Sequence, residues 1–464
     1  MAKAESSRRY RAIWRWHFWA GLIVAPFLLI LSVTGAIYLF DEELNDLLMP
    51  ELHFVEPVHH ALPPSALIRA AIAEYPGTPT RIDIPDAADR PAKVHVRPHR
   101  GEPLHVMVDP ASGRVLGSFV YTRTLVGFAD VMHGSLTLGE RGDAIVELAA
   151  CWALVLIATG LYLWWPRGRW KAAGILYPRL SAKGRLFWRD VHGVAGVWSL
   201  ALILFLLLTG LPWAVVQGPL IRGGMEALGI GAPQQAWGHM APASQPMGKA
   251  LGRISWTQET APMPVSDPVH SGHHGEHAST SGPDEAAIAG ADSVFDRAAK
   301  LGMARGYRLY LPQGETGIYT ALAFPGRPQG QRTLHFDRWS HELLREYAWS
   351  QYGVGAKAVE LGVQIHMGRY FGLPNQLLML FPCLAIVLLV GSGIAMWWKR
   401  RPAGAFAAPP RAPQARMRGA LWILAVAGML MPLLGLSLIL VWLIDKAAQR
   451  FLTPPCDRPA ASAR

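Results

Sequence analysis

Four histidines stand at repeating places in this chain, and imidazole is the side chain best suited to ligate a metal centre or carry a proton near neutral pH. Trp14 to Gly35 reads WRWHFWAGLIVAPFLLILSVTG and Trp188 to Gly210 reads WRDVHGVAGVWSLALILFLLLTG. Counted from His17 and His192, Gly lies at +4 (Gly21, Gly196) and Thr-Gly at +17 and +18 (Thr34-Gly35, Thr209-Gly210). Counted from His133 and His366, Gly lies at +6 (Gly139, Gly372) and +27 (Gly160, Gly393), with Trp-Trp at +31 and +32 (Trp164-Trp165, Trp397-Trp398). The chain is a duplicated unit, and the Gly, Thr and Trp matches hold independently of the histidines used to align it. One histidine flanked by Trp14, Trp16 and Trp19 reads as part of an interfacial aromatic belt. Four in two matched registers read as a chemical site.

The elements that must position them are membrane spans. The 464 residues are 51% hydrophobic, with a mean hydropathy of +0.20, too apolar for an ordinary soluble chain. Apolar runs near the ~20 residues needed to cross a bilayer occur at Phe18 to Phe40, Ala144 to Trp165, Val194 to Val216, Gln376 to Trp398 and Ala420 to Ile444. The net charge of +11 does not point to nucleic acid, because the excess is local. Segments 1–17, 166–191 and 399–418 hold 18 Lys or Arg against only Glu5 and Asp190. Short basic loops stay cytoplasmic, which predicts an inside N-terminus, an outside C-terminus, and two long loops facing the periplasm. The first span is too long for a cleaved signal and continues as IYLFDEELND, so it reads as a retained anchor. Three cysteines, Cys151, Cys383 and Cys456, offer no disulfide framework, zinc spacing or C-x-x-C-H for covalent haem.

In both outside loops the hydrophobic period changes from 3.6 to 2. SALIRAAIAEYPG reads as a helix, and TRIDIP, AKVHVRP and PLHVMVDP as strands. In the second loop SVFDRAAKLGM reads as a helix, and YRLYLP, IYTALAFP and RTLHFD as strands. The expected organisation is residues 1–40 (N-terminus and first span), 41–143 (first outside domain), 144–165 (second span), 166–191 (basic loop) and 192–216 (third span). It continues with 217–375 (second outside domain, carrying a His-rich insertion at 267–284), 376–398 (fourth span), 399–418 (basic loop), 419–444 (fifth span) and 445–464 (tail). The fold class is therefore an α-helical membrane protein of about five transmembrane helices, built on a duplicated two-helix unit, with two small α+β periplasmic domains.

Four pieces carry a family resemblance: V-D-P-x-x-G-x-V-L (Val108 to Leu116), W-R-x-x-H-x-x-x-G (Trp188 to Gly196), L-x-L-G-x-x-G (Leu136 to Gly142) and T-G-L-Y-L-W-W-P (Thr159 to Pro166). Together they resemble the PepSY-associated transmembrane family over about residues 8–401, with the fifth span as an addition. The second copy of the first piece departs from the pattern, with Arg338 in place of Pro and His341 in place of Gly. Relatives in this family include inner-membrane ferric-siderophore reductases that hold b-type haems between their helices, so the resemblance implies two non-covalent b-type haems here. Topology puts His17 and His192 in the inner layer and His133 and His366 in the outer one, each layer offering two imidazoles as axial ligands. Gly21 and Gly196, one turn on, leave room for a flat macrocycle, and Arg15, Arg189, Arg141 and Arg369 are candidates to neutralise propionates.

The expected function is electron transfer through an inner membrane to a ferric complex, a ferric siderophore by resemblance, at the periplasmic face. No G-x-G-x-x-G follows a strand, so electrons come from a separate donor, a cytoplasmic flavoprotein or a membrane quinol. Two other readings stay open: a periplasmic binding or sensing module on a membrane anchor, and a permease for iron complexes. His270, His273, His274 and His277 lie in a Gly/Ser/Pro-rich run whose composition suits weak, labile metal capture or an incidental polar insertion. His335 and His341 read as sheet-surface residues.

Overall fold

The computed structural model describes residues 2–57, 60–167, 172–232, 245–252, 254–266, 284–401 and 418–451. His270, His273, His274 and His277 lie outside them. The chain divides into two compact units, Met1–Ile30 with Gly134–Leu220 and Leu384–Arg464, and Leu31–His133 with Ile221–Cys383.

Among the described residues four helical stretches are long and apolar enough to cross a membrane: Ser7–Tyr38, Glu140–Trp164, Arg185–Trp213 and Leu373–Trp398. They belong to α1 (Ala2–Tyr38), α6 (Glu140–Trp164), α7 (Arg185–Gly210, extended by a short 3-10 turn) and α12 (Leu373–Trp398). In the first unit, small residues bring these helices together. Gly21 of α1 faces the Leu156 side chain of α6, and Gly196 of α7 faces Leu389 of α12. The loop joining α6 to α7 is pinned by indole donors, Trp164 to the Ile175 carbonyl and Trp198 to the Leu176 carbonyl.

The expected fifth span at 419–444 is instead broken into α13 (Arg418–Leu430) and α14 (Pro432–Phe451). Pro432 stands as the first residue of α14, where its missing N–H costs no helical hydrogen bond, whereas Pro26 and Pro382 lie inside unbroken α1 and α12. The chain bends so sharply there that a Cβ on Gly428 would lie 2.9 Å from the Gly435 Cα. Trp152 of α6 donates to Ser437 Oγ at 3.1 Å, fixing α14 against the bundle.

The second unit holds α2 (Asp41–Leu48), α3 (Pro50–His53), α4 (Pro64–Glu74) and α5 (Leu125–Ser135). It also holds α9 (Met247–Leu251), α10 (Glu285–Lys300) and α11 (Val354–His366); α8 (Gln217–Ala227) starts in the first unit and ends in the second. Its strands are β1 (Gly77–Ile84), β2 (Ala92–Pro98), β3 (Leu104–Val108), β4 (Val115–Phe119), β5 (Tyr307–Tyr310), β6 (Tyr319–Ala323), β7 (Arg332–Phe336) and β8 (Leu343–Ala348). The two loops do not make separate sheets. Their strands join in one antiparallel sheet of order β4-β3-β2-β1-β5-β6-β7-β8, with β1 paired to β5 through Arg81↔Tyr310, Ile82↔Leu309 and Asp83↔Arg308.

Helices α4 and α10 cover one face of this sheet, burying Ile68, Ala71, Val294 and Ala298 against Ile82, Val94, Val106, Leu309 and Phe336. Asp292 of α10 accepts from the backbone N–H and the hydroxyl of Ser65 at the start of α4, which ties the two helices. His335 corrects the surface expectation: it is fully buried, with Nδ1 2.9 Å from Thr320 Oγ1 and Nε2 without a partner. Burial drops its pKa to about 3.

The strand-end turn survives its two substitutions. Asp109 accepts from the Ala111 N–H and the Ser112 hydroxyl, and Asp337 accepts from the Trp339 and Ser340 N–H groups. Gly113 closes the first turn at φ 72°, and His341 takes the same left-handed place in the second at φ 58°. A non-glycine residue in that conformation carries a backbone cost.

Candidate functional site: paired imidazoles

His17 on α1 and His192 on α7 meet in the first unit, with ring centroids 6.3 Å apart and planes at 87°. Each ring is anchored by the helix behind it. His17 Nδ1 lies 2.9 Å from Thr159 Oγ1 and also faces the Leu156 carbonyl. His192 Nδ1 lies 3.0 Å from the Leu389 carbonyl and 3.1 Å from Ser392 Oγ. Both hydroxyls already have a use for their protons: Thr159 donates to the Val155 carbonyl at 2.7 Å and Ser392 to the Leu388 carbonyl at 2.6 Å. The oxygens that face the rings can therefore only accept, so Nδ1 carries the hydrogen on both histidines. The lone pair is left on Nε2, the nitrogen a metal can take. Anchoring of the distal ring nitrogen is the arrangement found at metal-ligating histidines.

The spacing suits one metal between the rings. Two metal–nitrogen bonds of about 2 Å plus the half-widths of two imidazoles come to about 6 Å. Haem iron takes two such axial ligands, so the donor set fits a bis-histidine haem. Among the described residues no group of three or more His, Cys, Asp or Glu could hold a metal ion.

His133 sits in the last turn of α5, in the second unit, with Nδ1 3.1 Å from Thr34 Oγ1 and facing the Leu31 carbonyl. His366 is the last residue of α11. The turn that follows it is tied by Asn375 Nδ2 to the Ile365 carbonyl and by the Arg369 N–H to the Gln364 carbonyl.

A hydroxyl-glycine cradle recurs that the sequence reading did not isolate. His17 is held by Leu156, Thr159 and Gly160, His192 by Leu389, Ser392 and Gly393, and His133 by Leu31, Thr34 and Gly35. A Cβ on Gly160 would come 3.2 Å from His17 Cε1, and one on Gly35 3.1 Å from His133 Cε1, so the glycines admit the rings. The pattern L-x-x-[T/S]-G occurs once in each of the four spans, with Leu206-Thr209-Gly210 as the fourth, and that repetition was the available signal.

The other expected residues have these places. Gly21 and Gly196 meet leucine side chains at ordinary packing distance. The +6 glycines, Gly139 and Gly372, have φ of 61° and 64° and lead into α6 and α12. Arg189 pairs with the buried Asp190 at 3.1 Å, sharing it with Arg179 at 2.6 Å. Arg369 donates to Asp41 at 2.7 Å and lies over the Tyr38 ring. Arg15 is half-buried and Arg141 exposed. Glu147 of α6 is buried, and one oxygen accepts the Val216 N–H at 2.8 Å.

No curated protein matches the chain. The family model of the PepSY-associated TM region matches residues 14–400, and the chain, a multi-pass membrane protein with a separate antiparallel sheet, belongs to that family.

Proposed function

We propose that the protein is a di-haem b-type electron carrier of the bacterial inner membrane that reduces a ferric complex, such as a ferric siderophore, at the periplasmic face. The observation that carries this is the inner pair: two imidazoles 6.3 Å apart, each with Nδ1 tied back to a neighbouring helix. When bound, haem supplies one-electron chemistry. His17 and His192 hold the inner site, and His133 with His366 the outer one.

The chain's own part is to fix those ligands. Thr159 and the Leu389 carbonyl hold each ring in one tautomer and one orientation, so ligation requires little rearrangement. The basic segments 1–17, 166–191 and 399–418 support a cytoplasmic side for the inner pair and a periplasmic one for the sheet. A separate flavoprotein or quinol feeds electrons in. Reduction to Fe(II) weakens the grip of hard oxygen donors, and the metal can then leave its chelator.

A visible spectrum of protein purified after growth with haem supply tests this directly. Two b-type haems per chain, reducible by dithionite, are expected, and absence of a Soret band rejects the reading. His17→Ala and His133→Ala should each leave one haem. Two haems retained in either variant would overturn that ligand assignment.

A further inference from the structure

Downstream of β6 the chain makes a short 3-10 turn, Pro328–Gly330, that lies against the turn following His366. A Cβ on Gly326 would sit 3.0 Å from the Arg369 carbonyl, and Gln329 Nε2 donates to Tyr370 Oη at 3.0 Å. These ties frame a hollow of about 650 Å³ lined by Pro325, Arg327, Gln329, Gly330, Tyr370 and Phe371. Tyr370 and Phe371 pack edge to face, centroids 4.6 Å apart, and the Phe371 ring is largely exposed. Arg327 is exposed, and among the described residues no carboxylate lines the hollow or pairs with its guanidinium. The neighbouring cation, Arg369, is already neutralised by Asp41.

We infer that this hollow, beginning four residues after His366, seats the ferric chelate and selects anionic chelates with flat aromatic donor arms; this rests on the proposed function. A guanidinium fork binds carboxylate and phenolate oxygens in two parallel hydrogen bonds. Exposed rings stack or pack edge to face on an aryl arm. A neutral chelate without rings gains neither contact. The volume falls within the few-hundred to thousand Å³ of small-molecule sites.

Three small ferric chelates separate charge from ring: ferric salicylate (anionic, aromatic), ferric citrate (anionic, ring-free) and ferric acetohydroxamate (neutral, ring-free). Full-length, dithionite-reduced protein is mixed with each, and haem reoxidation is followed optically. The half-saturating concentration should rise in that order. Arg327→Gln should raise it about tenfold for the two anions and leave acetohydroxamate unchanged, and Phe371→Ala should raise it for salicylate alone. Equal half-saturation by all three, or a uniform shift in Arg327→Gln, overturns the inference.

Calorimetric binding of gallium citrate, which accepts no electron, separates this from failure of the electron-carrier reading. Binding lost in Arg327→Gln supports the seat even if no chelate reoxidises the protein. Binding that ignores Arg327→Gln removes the seat while electron transfer stands. If gallium citrate binds in phosphatidylcholine nanodiscs and is displaced in phosphatidylglycerol ones, the hollow holds lipid headgroups and the inference fails.

Discussion

The Thr159 and Ser392 hydroxyls show how a residue can serve a site without touching what the site binds. Each donates its hydrogen along its own helix and offers only a lone pair to the imidazole. Thr159→Val keeps the shape and removes the acceptor, and Ser392→Ala does the same for His192, leaving a backbone carbonyl at each ring. Loss of such an outer hydrogen bond typically weakens metal affinity by 10- to 100-fold. We therefore expect haem transfer from the inner site to apomyoglobin to quicken at least about tenfold in the double variant, with the outer site unaffected. His17 and His192 were legible from sequence because a charged-type residue repeats in register with Gly and Thr-Gly. Thr159 and Ser392 were not, because a hydroxyl in an apolar span satisfies itself on the carbonyl four residues back and leaves hydropathy nearly unchanged.

At the scale of elements, period and length decided what sequence could reveal. The strand read at AKVHVRP coincides with β2, where Val94 and Val96 face the helices and Lys93 and His95 the other side. The strands β4 and β8 were missed because their outward positions are only partly buried and alternation is weak, as in VLGSF and LLREYA. The break between α13 and α14 was hidden because the run stays apolar across it and proline alone is no signal, since α1 and α12 pass unbroken through Pro26 and Pro382. Close packing within the sheet unit gives a sharp test. A methyl on Gly290 of α10 would collide with the Tyr319 hydroxyl, which donates to the Ala287 carbonyl at 2.7 Å and is buried beneath the helix. Gly290→Ala should cost about 1–3 kcal/mol, the usual range for overpacking. Amide exchange should rise in α10 and β6 peptides, while the haem spectrum stays as in the parent.

At the scale of the whole molecule, acid should loosen the sheet-bearing unit before the apolar helices. His95 and His105 face each other across β2 and β3, ring centroids 4.1 Å apart, beside Arg81, Asp83 and Lys93. Burial pushes His95 down to about 4 and His105 to about 2, so both are neutral in the fold. The unfolded chain takes up protons at its ordinary histidine pKa near 6.5 while the folded one does not. Stability is therefore full above about pH 6.5 and declines as pH falls toward 4, by up to about 1.4 kcal/mol per pH unit per histidine. Hydrogen exchange of β2–β3 peptides should accelerate between pH 6.5 and 4.5 after correction for the intrinsic rate, and His95→Gln should reduce that dependence. The match to the family ends at residue 400, so a chain stopped at Arg401 lacks α13 and α14 yet keeps every proposed ligand. It should retain two haems per chain by pyridine haemochrome.

The pairing of β1 with β5 has one more consequence. Ile82 and Leu309 each stand three residues before the proline that follows their strand, Pro85 and Pro312, so they are the same position in the two repeats. They pair with each other, and their flanks pair crosswise, Arg81 with Tyr310 and Asp83 with Arg308. That is the contact two identical subunits make across a dyad, self-complementary and closed. His17 facing His192 is likewise one member from each repeat. The two repeats of this chain thus meet at both places as two copies of one subunit meet across a dyad, with the linking segments making that association intramolecular.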